Sequence, residues 1–136
     1  MRDSVILDSS VIAAIFFKEE ASERAEEALR DYKLITVSIA IEEVANVAWK
    51  RVVFFDEQKE IALKALNKSI DFIMGVCEVI ASQKLLKDAF EIAIEDAITI
   101  YDALLIAASE RKKVPLLTLD RKLYERIKQK RNVKLI

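Results

Sequence analysis

The chain has 136 residues, 53% of them hydrophobic and 33% charged, which suits one packed domain and excludes a disordered polymer. A net charge of −1 excludes nucleic-acid binding through bulk charge, so any such binding must rest on a local patch, on metals or on an oligomer groove. The absence of histidine removes His-ligated zinc, Ser-His and Cys-His nucleophiles and histidine general bases.

In chain order, Ser4–Asp8, with Val5-Ile6-Leu7 at its centre, reads as a short buried strand. Ser9–Phe17 suits a helix capped by Ser9 or Ser10. Glu19–Asp31 is a charged amphipathic helix with Ala21, Ala25, Ala28 and Leu29 on one face. Lys33–Val37 is a second strand, after which Ser38 is placed to cap a long helix running toward Phe55. Asp56–Met74 forms the next helix, with Gly75 ending it in a left-handed conformation. Val76–Ile80 is the third strand, and Cys77 within it, unable to form an internal disulfide, reads as a small core residue. Ser82–Ala97 is helical, with Leu85, Leu86, Ala89, Phe90 and Ala93 at the spacing of a buried face. A helix opening at Asp102, a strand near Pro115–Leu119, a basic helix Arg121–Lys130 and a strand Val133–Ile136 complete the series. Phe16-Phe17, Trp49 and Phe54-Phe55 read mostly as core, with Phe54-Phe55 also suited to an oligomer contact.

Strands separated by helical segments predict an α/β domain, residues 1–136, with a central parallel sheet covered on both faces. No apolar run reaches the ~18 residues of a membrane span. The first residues lack the apolar core of a signal peptide. The expectation is a cytoplasmic protein. One Gly and one Pro leave no glycine-rich phosphate loop.

Four carboxylates stand where such a sheet would gather them. Asp8 and Asp120 follow strands, and Glu43 and Asp102 begin helices. Sites in open α/β sheets form at the carboxyl ends of the strands. Acids converging there repel one another and stay ionised together most easily around a hard cation, which points to Mg²⁺ or Mn²⁺ and to phosphate chemistry. Each acid also has a structural reading. Asp8 could solvate a turn, Thr99 and Asp102 have capping-box spacing, and Asp120 could cap the basic helix. Periodicity leaves open whether Glu42 or Glu43 faces the site. Thr118, two residues before Asp120, shares its strand face. Lys50-Arg51 and Arg121-Lys122 are basic pairs that reach phosphate or simply face solvent.

Taken together, Ile6-Leu7-Asp8-Ser9-Ser10-Val11-Ile12, Ile41-Glu42-Glu43-Val44-Ala45-Asn46-Val47, Tyr101-Asp102-Ala103-Leu104-Leu105-Ile106-Ala107 and Leu117-Thr118-Leu119-Asp120-Arg121-Lys122-Leu123 resemble the PIN-domain ribonucleases, in particular the VapC toxins of toxin–antitoxin pairs. The resemblance spans essentially the whole chain. It implies a three-layer fold with a five-stranded parallel sheet and Mg²⁺- or Mn²⁺-dependent endonucleolytic cleavage of RNA. It carries the family's acidic quartet onto Asp8, Glu43, Asp102 and Asp120, favouring Glu43 over Glu42, and gives supporting roles to Ser9 and Thr118. A homodimer and a cognate antitoxin are the implied partners. A receiver domain would need paired acids after the first strand, and a haloacid-dehalogenase-like phosphatase would need Asp-x-Asp, where this chain has Asp8-Ser9-Ser10. The remaining alternative is a PIN-like scaffold that binds RNA or protein without cutting.

Overall fold

The computed structural model describes residues 2–136. Five strands, β1 (Asp3–Leu7), β2 (Tyr32–Val37), β3 (Glu78–Ile80), β4 (Leu116–Thr118) and β5 (Val133–Leu135), form one sheet in the order β3-β2-β1-β4-β5. Every strand pair is parallel, and β1 is central, with Val5 and Ile6 opposite Leu34 and Ile35 on one side and Ile6 and Leu7 opposite Leu116 and Leu117 on the other. The continuous apolar run Val5-Ile6-Leu7 is the sequence of a strand covered on both faces, and all three side chains are buried.

The helices are α1 (Ser9–Phe16), α2 (Ser22–Leu29), α3 (Ile39–Phe55), α4 (Lys59–Gly75), α5 (Leu86–Asp96), α6 (Ile100–Lys112) and α7 (Arg121–Ile127), with a 3-10 turn at Ser82–Lys84. Strand alternation divides the core. Val5, Leu7 and Leu117 face α1 to α4, and Ile6, Ile35 and Leu116 face α5, α6 and α7. Helix α6 is buried continuously from Ala103 to Ser109, so its axis is fixed against both the sheet and α5. Arg131 ties the far end of that layer together, reaching Asp96 with two hydrogen bonds of 2.9 and 3.0 Å and Glu110 at 2.8 Å.

Several details differ from the sequence expectations, each for a local reason. Neither Ser9 nor Ser10 caps α1; the N-cap is Asp8, and both hydroxyls turn back to its carboxylate. Ser38 does not cap α3 with its side chain. It clasps Ser82 instead, with the two hydroxyls 2.8 Å apart, and Ser82 Oγ accepts from Ile39 N at 3.1 Å. Gly75 is helical, and the left-handed residues are Asp56, Ala97 and Lys113, at the ends of α3, α5 and α6. The buried face of α5 is Ala89, Ile92 and Ala93, continuing from Leu85. Leu86 and Phe90 fall one position off that face and are exposed. Of the aromatics, Phe17 is core, whereas Trp49, Phe54 and Phe55 are exposed. Cys77 is half-buried, and burial pushes its thiol up to about 11. No helix is long and apolar enough to cross a membrane among the described residues.

Candidate active site

The chain winds from β1 to β2 and β3 on one side, then crosses back to lay β4 and β5 on the other. This reversal opens a crevice at the carboxyl ends of β1 and β4, the place where doubly wound sheets bind ligands. Asp8 directly follows β1, and Asp120 lies two residues beyond β4. Glu43 projects from the first turns of α3, and Asp102 from the first turn of α6. All four acids therefore reach the same crevice, and their charges act on one another there.

Asp8 is the centre of this group. It is 6% exposed and accepts from three hydroxyls: Thr118 Oγ1 at 2.6 Å and Ser10 Oγ at 3.0 Å on Oδ2, and Ser9 Oγ at 3.3 Å on Oδ1. Two of these hydroxyls have no choice of direction. Thr118 Oγ1 accepts from Asp120 N at 3.0 Å, and Ser10 Oγ accepts from Leu119 N at 3.1 Å. With backbone N–H groups of the β4–α7 turn on their lone pairs, both point their protons at Asp8. The same contacts fix the turn that carries Asp120.

Burial holds the Asp8 carboxyl above its ordinary range; the Thr118 and Ser10 hydrogen bonds oppose the rise, and the charge of Asp120 adds to it. Burial, then the charges of Asp8, Asp102 and Glu42, push Glu43 up to about 7. Burial, then the charges of Asp8 and Asp120, push Asp102 up to about 6. Ser9 lies between the Asp8 and Glu43 carboxylates with one proton for both, and Glu43 Oε1 remains buried without a partner. A buried, unpaired carboxylate oxygen facing like charges is a costly arrangement unless a cation joins it.

The structural readings hold beside the functional ones. Asp120 Oδ1 caps α7 by accepting from Leu123 N at 3.0 Å, and Thr99 Oγ1 caps α6 by accepting from Asp102 N at 3.2 Å. The Glu42/Glu43 ambiguity resolves: Glu42 is exposed, and Glu43 turns inward toward Asp8 and Asp102. Asn46 is exposed. Ser10, read from sequence as a cap, belongs to the site with Ser9 and Thr118.

A hard divalent cation fits these donors. They are all oxygen, they repel one another, and one carboxylate oxygen is orphaned. Among the described residues no three His, Cys, Asp or Glu side chains are gathered closely enough to hold an ion by themselves. An ion held there would have to complete its coordination with water or substrate oxygens.

Residues 5–129 match the PIN domain family. Ribonuclease VapC3 of Pyrobaculum aerophilum is 37% identical over 123 residues, covering 90% of this chain and 93% of that protein. Among solved structures, PAE2754 of Pyrobaculum aerophilum superposes with a TM-score of 0.70 at 22% identity, over 91% of this chain and 79% of the other. A toxin–antitoxin complex from Klebsiella pneumoniae gives 0.67 at 17% identity, over 96% of each chain. VapC20 of Mycobacterium tuberculosis, a toxin that cleaves the sarcin–ricin loop, gives 0.66 at 17% identity, over 83% of this chain and 87% of the other. These structures share the fold described above.

Proposed function

The chain belongs to the PIN-domain family, and from that membership we propose that it is a metal-dependent endoribonuclease serving as the toxin of a toxin–antitoxin pair. The observation that carries the reading is the buried Asp8 carboxylate, held by three hydroxyls at the strand-order reversal, with Glu43 and Asp102 pushed up around it. Asp8 and Asp102 are the residues that would hold a Mg²⁺ or Mn²⁺ ion directly, with Glu43 and Asp120 acting through water. Bound there, the ion supplies charge to a phosphodiester and lowers the pKa of a water.

The chain's own residues do the rest. Thr118 and Ser10 fix the Asp8 carboxylate so that its lone pairs keep one direction during turnover. Glu43 Oε1, free of any partner, is the acceptor available to orient a water against the phosphorus. The start of α6 brings backbone N–H groups and a positive dipole end to the crevice edge, where a phosphate is favoured. In-line attack by water breaks the P–O3′ bond and leaves a 5′-phosphate and a 3′-hydroxyl.

A cognate antitoxin is the proposed partner, in keeping with the toxin–antitoxin complex among the structural relatives. A homodimer is the proposed assembly. Its motive is the exposed apolar side chains, among them Leu86, Phe90 and Ile94 spaced four apart along α5. Light scattering at tens of micromolar that shows only monomer would remove the dimer.

Purified protein should cleave RNA with Mg²⁺ or Mn²⁺ and stop with EDTA. Asp8→Asn, Asp102→Asn and Asp120→Asn should each lower the rate by orders of magnitude. RNA binding without cleavage, in preparations where Asp8→Asn serves as the contamination control, would instead assign a non-catalytic scaffold.

A further inference from the structure

We propose that the cleft between α1, α3 and α4 is a second binding surface for single-stranded RNA, holding phosphates of the nucleotides that flank the scissile bond. This rests on the nuclease reading and extends it to how the protein grips the strand. Although the chain carries a net charge of −1, Lys18, Arg51, Lys64 and Lys68 line a cleft of about 500 Å³ in which Glu57 is the one carboxylate. Arg51 is committed to the fold. It pairs with Glu19 at 3.7 Å, donates to the Lys18 carbonyl at 3.0 Å and lies 5.7 Å from the centre of the Phe17 ring. The three lysines are exposed and, among the described residues, form no ion pair. Lys64 and Lys68 stand one turn apart on α4, about 6 Å along its axis. Glu60 and Asp71, the carboxylates within a turn of that pair, do not line the cleft.

Two further hollows lie between this cleft and Asp120. Arg51 also lines the neighbouring hollow, together with Lys50 and Phe55. Glu19 and Val47 line that hollow and also the next one, whose walls include Ser10 and Asp120. These adjoining hollows lead from Lys68 by way of Phe55 to Asp120; Glu19 and Glu20 stand among them, and Arg51 pairs with Glu19. Free cations along a groove, with an aromatic ring 74% exposed beside them, are the elements of single-strand recognition: the charges follow the backbone and the ring stacks a base. A polyanion cut at an acidic crevice needs attraction supplied away from the scissile bond, and the uncompensated lysines lie on the track that leads from it.

The test uses the full chain and a fluorescent, unstructured RNA of about 20 nucleotides. Anisotropy is measured on Asp8→Asn, with and without Lys64→Glu/Lys68→Glu. The double change should weaken binding about tenfold or more, and should reduce the slope of log affinity against log salt by about 1.4, two phosphate contacts at ~0.7 each. The milder Lys64→Gln/Lys68→Gln should give the same slope change. Phe55→Ala should weaken binding about tenfold and leave the slope alone, because it removes stacking and no charge. In the cleaving protein the lysine changes should raise KM with kcat preserved. Unchanged affinity and slope overturn the proposal, whether cleavage persists or the variants lose self-association in light scattering, which would give the face to a second copy of the chain. Lysine-dependent binding in a wild type that cuts no RNA supports the groove and sinks the nuclease reading alone.

Discussion

Ser10 shows how a site residue is hidden in a sequence. Its partners, Leu119 N and the Asp8 carboxylate, come together only because β1 and β4 are neighbours, 109 residues apart along the chain in the case of Leu119. Read locally, a serine at a helix start is a cap. Asp8, Asp102 and Asp120 were legible because strand ends and helix starts fix where they sit, whereas Glu42 and Glu43 share a helix start and only packing separates them. Ser10→Ala should raise the Mn²⁺ concentration needed for half-maximal cleavage by about tenfold, with Ser10→Thr recovering most of it, because it removes one of the two hydroxyls that aim Asp8. Glu43 makes a pH prediction. Its folded pKa of about 7 lies above the ordinary 4.5, so the native state holds the proton more tightly. The stabilisation this gives is complete below the ordinary value and is lost as pH rises through about 7. In EDTA, the melting temperature of Glu43→Gln relative to wild type should therefore rise from about pH 5 to about pH 8, and a flat difference would place Glu43 in solvent.

The elements were largely legible because their apolar patterns match their burial. The unbroken Val5-Ile6-Leu7 run announced a strand covered twice, and the Ala103–Ser109 stretch a helix held inside. Adjacent apolar positions misled on α5, where Leu85 and Leu86 propose two faces and the sheet selects the one with Ala89 and Ala93. Helix ends were less legible. Gly75 invited a left-handed stop, yet Asp56, Ala97 and Lys113 take that conformation, without glycine's freedom, where the chain leaves one helix and turns into the next element, α4, α6 and β4 respectively. Asp120 both caps α7 and stands at the site, and substitution separates the two roles. Asp120→Asn keeps a side-chain oxygen for Leu123 N, so its melting temperature should stay near wild type while cleavage falls by orders of magnitude. Asp120→Ala should lose the activity and also about 1 kcal/mol of stability, read by urea unfolding. Equal stabilities for the two variants would remove the cap.

For the molecule as a whole, the crevice sets folding against function. Without metal the gathered carboxylates strain the fold, so Asp8→Asn should melt higher than wild type in EDTA. The amide can still accept from Thr118 and Ser10 with its oxygen and turn its NH₂ toward Ser9. Mn²⁺ should raise the wild type's melting temperature, by an amount equivalent to about 2.7 kcal/mol at a hundred times Kd, and raise that of Asp8→Asn far less. Equal gains for both proteins would put the ion elsewhere. The central place of β1 has one more consequence, in time rather than space. Asp8 emerges early from the ribosome, but its hydroxyl partner Thr118 follows 110 residues later. Until β4 has left the exit tunnel and paired with β1, the strand that leads into Asp8 has an open edge, and no crevice exists. A growing chain is therefore unarmed until β4 is free to pair, and the translating ribosome that makes it, itself built of RNA, is spared until then; stalled chains ending before Leu116 should cut nothing.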